Sequence, residues 1–68
     1  MKEKINNFKN ELKQQAEKET SMYYNAKKMK EEAETVSARS LWNEIESDHL
    51  VKANLLNDII TKLDKIIE

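Results

Sequence analysis

The sequence predicts an all-α fold: an antiparallel two-helix hairpin that needs a second copy of itself to close a core. Three observations predict it. The 68 residues contain no Gly and no Pro, so nothing breaks a helix from within. Apolar residues recur at steps of three and four along both halves. The phase of that recurrence changes once, near the middle of the chain.

Length allows one small domain, residues 1–68. A chain this short seldom stabilises itself without a disulfide, a metal or a partner chain. There is no Cys, so metal or oligomerisation is left to do that. The same absences exclude thiol chemistry, Cys-based zinc sites and Gly-rich phosphate loops.

The first helix is predicted over about residues 4–33. Its apolar stripe runs through Ile5, Phe8, Leu12, Ala16, Met22/Tyr23, Ala26, Met29 and Ala33, with Glu19 occupying one position of it. Carried onward, that stripe lands on Ser37, Ser40, Glu44 and Ser47, all polar. A turn is therefore placed at about 34–36, within ETVSARS, whose hydroxyl and β-branched residues favour helix ends. Thr35 or Ser37 is the expected N-cap. The second helix, about 37–67, carries Leu41/Trp42, Ile45, Ala53, Leu56, Ile59/Ile60, Leu63 and Ile66/Ile67. Glu46 and His49 fill the gap in that stripe.

A net charge of −1 gives no pull toward nucleic acid or membrane. No apolar run approaches a membrane span, and MKEKINNFKNE is too polar for a signal peptide. A cytoplasmic location is the expectation. Lys27, Lys28 and Lys30 read as a solvated face balanced by Glu31, Glu32 and Glu34. Met22 and Met29 read as gap fillers, and Trp42 as a core or interface anchor. Leu50, Val51, Leu55 and Ile59 widen the apolar surface of helix 2, which suggests assembly of dimers into something larger.

Three ionisable side chains thus lie on apolar stripes: Glu19, Glu46 and His49. Burying a carboxylate without a partner is unfavourable by several kcal/mol, and a metal is one way to offset that. Measured from a turn near residue 35, the three fall within roughly 8 Å of one height at ~1.5 Å rise per residue. Glu46 and His49, three apart, project side by side. E-x-x-H alone arises by chance in many helices, so the facing Glu19 carries much of the weight. Two hairpins around a twofold axis would bring four carboxylates and two imidazoles together, the ligand set of di-iron helical bundles. Such donors suit Fe, Mn and Zn, and carboxylates bridge ions about 3.5–4 Å apart.

At these residues the chain resembles the ferritin-like and rubrerythrin superfamily, and most of all its two-helix members, the encapsulated ferritins. The likeness rests on EKETSMYYNA (Glu17 to Ala26), with Glu19 five residues before Tyr24, and on LWNEIESDHLVKANLL (Leu41 to Leu56). It covers roughly residues 12–63. The resemblance implies a ferritin-like four-helix bundle formed by a homodimer, with Glu19, Glu46 and His49 as catalytic metal ligands; Tyr23 and Tyr24 read first as packing residues, with Tyr24 as a hydrogen-bond donor behind the ligands the alternative. It implies two iron ions per dimer, with Mn or Zn as alternatives, and ferroxidase-like oxidation of Fe(II) by dioxygen or peroxide. A protein shell of the encapsulin type is the partner it implies, although no Gly-Leu-rich targeting tail is present. Two other readings stay open. One is a metal-free helical hairpin or coiled-coil interaction module whose polar core residues set register. The other is a structural bundle holding Zn or Mn without turnover.

Overall fold

The computed structural model describes residues 2–67. Met1, Glu68 and the side chain of Ile67, which the sequence reading includes in the domain and its stripe, lie outside the described residues. Two helices make up the fold: α1, Lys2–Glu32, and α2, Val36–Ile67. All four bounds fall within two residues of the predicted ones. They run antiparallel, for Lys9 near the start of α1 meets Asp64 near the end of α2, while Lys30 near the end of α1 meets Asn43. Among the described residues no helix is long and apolar enough to cross a membrane.

The reversal at residues 33–35 is made by capping rather than by glycine. Ala38 N–H donates to Thr35 Oγ1 at 3.1 Å, which makes Thr35 the N-cap of α2. Arg39 N–H donates to the Thr35 carbonyl at 3.0 Å, the first backbone bond of that helix. At the other side, Ala33 N–H closes a tight turn onto the Lys30 carbonyl, and the Arg39 guanidinium donates to the Ala33 carbonyl. Orphan groups at both helix ends thus find partners over three residues.

The core is thin. Leu12, Ala16, Ala26, Ala53 and Ile60 are buried, and three of these five are alanine. Small side chains let the helices approach closely but bury little apolar area. Leu12, Ala16 and Ile60 form one cluster with Leu56, Ile59 and Leu63 packed around it. The hairpin measures 51 × 14 × 11 Å, with a radius of gyration of 15.5 Å. A compact chain of this length would have about 11 Å. Its accessible surface is 5361 Å², where a compact monomer of this mass would expose roughly 4,450 Å².

Several large apolar side chains lie on that exposed surface. On α1, Phe8 and Met22 are exposed and Met29 is half-buried, at spacings of fourteen and seven residues that keep them in one row. On α2, Leu41, Leu55 and Ile66 are exposed and Ile59 half-buried, also in one row. At ~100° per residue the mean direction of each row lies roughly 70–125° from that of its helix's buried residues, in the same rotational sense. In an antiparallel pair that puts both rows on the same side of the hairpin.

The ends of the hairpin are tied by Lys9 Nζ and Asp64 Oδ1 at 2.6 Å. Lysine's hydrogen bond holds the Asp64 carboxyl below its ordinary value. A carboxyl depressed in the folded state contributes stability that is present above its unfolded value and is lost as pH falls through the folded one. Asp64→Asn should therefore lower the melting temperature slightly at pH 7 and leave it unchanged near pH 2. Thermal melts of the two proteins across that range check this.

Candidate metal centre

Glu19 reaches the helix interface because it follows Leu12 and Ala16 on the buried stripe of α1. His49 does so because it precedes Ala53 on that of α2. Both are about four-fifths buried, with side chains 22 and 19 % exposed. Glu19 Oε2 and His49 Nδ1 lie 2.5 Å apart. A carboxylate can only accept, so His49 Nδ1–H is the donor. That choice fixes the tautomer and leaves Nε2 with a free lone pair whenever the ring is neutral.

The pair is competent for two kinds of metal chemistry. A cation entering between Nδ1 and Oε2 would be held by both residues. Alternatively, Nε2 would ligate while Glu19 orients the ring and raises its basicity, as carboxylates behind ligating histidines do. In both cases a carboxylate and an imidazole from different helices are already in register, as their common height predicts.

Glu46 is placed differently. Its side chain is 15 % exposed, and Oε2 lies 2.7 Å from Lys30 Nζ. The contact has the distance of an ion pair but not the angle of a hydrogen bond, so this buried oxygen has no hydrogen-bond donor. The distance settles that the charge is compensated; the missing donor shows that the oxygen is only partly satisfied. Lys30 Nζ donates instead to Asn43 Oδ1 at 3.3 Å. No three His, Asp or Glu side chains converge among the described residues of one hairpin.

Lys30 corrects the sequence reading. Lys27 and Lys28 are solvated, as expected, but the Lys30 side chain is only 27 % exposed and reaches across to α2. The signal was available: Glu19, Tyr23, Ala26 and Lys30 continue one stripe in steps of four, three and four. Each of the three core ionisable groups has a partner within the hairpin: Glu19 with His49, and Glu46 with Lys30. Tyr24 is 62 % exposed, and its ring meets that of Tyr23 edge-on at 5.2 Å. Trp42 is half-buried, while Glu44 is exposed and Asp48 pairs on the surface with Lys52 at 3.0 Å.

The donor set fits a divalent cation of the Fe, Mn or Zn type. Glu19 and His49 supply a mixed oxygen and nitrogen pair, and Glu46 has a buried oxygen short of a donor. The described residues of one chain bring two such donors together, Glu19 and His49, so a two-ion site would need donors from a second chain. No protein-family model, curated protein or solved structure matches this chain.

Proposed function

We propose that this protein is a di-metal carboxylate protein of the ferritin-like kind, oxidising Fe(II) at a site shared by two chains. The observation that carries the reading is the Glu19–His49 pair: two ligand-type side chains from opposite helices, meeting in the helix interface with both side chains largely withdrawn from solvent. The second copy is supported by area. The hairpin exposes roughly 900 Å² more than a compact monomer would, close to the ~800 Å² that each partner covers in a standard interface. The apolar rows of α1 and α2, on one side of the hairpin, are the surface that such a partner would cover.

In that assembly Glu19, Glu46 and His49 of each chain would hold the ions. Two bound ions supply the redox capacity by which electrons leave Fe(II) for dioxygen or peroxide. The chain's own contributions are simpler. Four carboxylates neutralise two divalent charges in a region shielded from water. The Glu19 carboxylate keeps the His49 ring in one orientation. Leu12, Ala16 and Ile60 on one side and Ala26 on the other exclude solvent from the interface around them.

A second reading has its own support. Glu19 is hydrogen-bonded to His49, and Glu46 is ion-paired with Lys30, so these largely withdrawn groups have partners without metal. That arrangement suits a hairpin interaction module in which polar pairs fix register, or a bundle that holds Zn or Mn for stability alone. Metal analysis after anaerobic loading with Fe(II) separates these. The di-metal reading expects close to one ion per chain. It also expects a melting temperature raised by an amount equivalent to about 2.7 kcal/mol at a hundredfold excess over Kd. Acidification should release the metal, because carboxylate and imidazole must be deprotonated to bind it. No retained metal and an unchanged melting curve would leave the interaction module as the better account.

A further inference from the structure

We propose that Lys30 is an internal counter-ion that holds Glu46 in the metal-free chain and must be displaced when a divalent cation binds. The inference rests on the di-metal reading and names a residue that tunes affinity at that site. Lys30 Nζ sits 2.7 Å from Glu46 Oε2, and both side chains are largely withdrawn from solvent. Lys27 and Lys28, in the same basic run, are exposed, so Lys30 alone is committed to the interface. It is anchored there by its hydrogen bond to Asn43 Oδ1. It also lies in the last turn of α1, where the helix dipole favours a positive charge.

The contact has the character of an occupant that can leave. Glu46 Oε2 receives charge compensation but no hydrogen bond, so the carboxylate is neutralised without being locked. A lysine ammonium is a point charge on a flexible four-carbon stem, able to swing out to water, whereas a guanidinium would bind the carboxylate through a planar fork. A divalent ion held by Glu46 would repel the ammonium at this range, so the two cations exclude one another. The chain then exists in a latched form, Glu46 on Lys30, and a competent form, Glu46 free. Apparent affinity is the intrinsic affinity reduced by the competent fraction. Lys30 therefore sets a threshold: weakly held cations fail to displace it, and only ions well suited to carboxylate and imidazole donors are retained.

The test is equilibrium dialysis of the whole chain against Zn(II), which is redox-inert, with thermal melts of the metal-free proteins alongside. Lys30→Met should bind Zn(II) about threefold to tenfold more tightly, as the latched fraction disappears. Its metal-free form should melt at a lower temperature, because Glu46 is left without a counter-ion. Lys30→Arg keeps the charge and should bind no more tightly than the wild type. Asn43→Ala removes only the anchor, and should tighten binding about twofold; it carries the test if Lys30→Met loses its helical circular dichroism. Wild-type protein that binds Zn(II), with Lys30→Met equal or weaker, would overturn the counter-ion and leave the metal site standing. The same holds if Lys30→Arg gains affinity as Lys30→Met does. Absence of Zn(II) binding in every protein would overturn both.

Discussion

Replacing His49 with alanine is expected to strip the protein of bound metal and, at the same time, to loosen the metal-free hairpin. In a twofold-shared site each substitution deletes two donors from the dimer, so a single change removes two of six. Glu19→Ala should act similarly. Glu46→Ala should be the most damaging for metal if Glu46 bridges the two ions. The effect on the metal-free chain follows from pairing. His49 is the donor to Glu19 Oε2, and losing it leaves a mostly buried carboxylate unsatisfied, at about 1–3 kcal/mol. Removing both partners is different: Glu19→Leu with His49→Leu replaces the pair by apolar surface and should be neutral or stabilising. A double-mutant cycle on the metal-free protein would then give a clear coupling between the two positions. Glu44→Ala and Asp48→Ala provide the controls, since Glu44 is exposed and Asp48 pairs with Lys52 at the surface. Anaerobic Fe(II) loading followed by air, with absorbance and metal content read in parallel, is the assay. Wild-type behaviour in Glu46→Ala and His49→Ala would remove the di-metal reading.

The hairpin itself was legible because its signals are local and periodic. A stripe that ends at Ala33 and restarts out of phase at Leu41 requires a break, and a hydroxyl residue at the break supplies the cap. Choosing Thr35 over Ser37 needed the structure, because both side chains offer the same oxygen and only chain direction decides which meets the Ala38 amide. The approach of Glu19 to His49 was legible for the same reason. In two straight helices joined by a short turn, distance from the turn fixes height, and stripe position fixes direction.

Glu46 was harder to place. Its stripe position put it in the interface, but a position three residues from His49 leaves its carboxylate free to turn along the helix. The long stem of Lys30 reaches it from α1, nearer the turn. Spacing rules for short side chains give no warning of this, since lysine's charge lies so far from its Cα. Tyr24 is a different case. Two consecutive tyrosines cannot both face the core of a helix, and the structure turns Tyr23 partly inward and Tyr24 out. The stripe through Glu19, Tyr23 and Ala26 already favours Tyr23 for the inward position.

Placing a carboxylate at Leu55 should split the assembly, and with it the metal site. Leu55 is 58 % exposed in the hairpin, and its row continues through Ile59 and Ile66. In a lone chain Leu55→Glu meets only water and should change stability by less than about 0.5 kcal/mol. Across a twofold interface the same change acts twice. It forfeits about 1.5–3 kcal/mol of apolar burial per side and adds two charges that must be desolvated. At 1.4 kcal/mol per factor of ten, dimer dissociation should rise by at least a hundredfold. Met22→Glu, on the matching row of α1, should act in the same direction. Val36→Glu is the control: Val36 is 83 % exposed but stands off the row, at the first turn of α2, where an acidic residue is tolerated. Sedimentation at micromolar concentration should show wild type and Val36→Glu as dimers or larger, and Leu55→Glu as a helical monomer. Glu19, Glu46 and His49 are all intact in that monomer, yet it should retain no pair of ions, because half the donors have gone with the partner. A wild-type protein that sediments as a folded monomer would defeat the shared site. A monomeric Leu55→Glu that still binds one ion per chain with undiminished affinity would place the ligands within one hairpin instead.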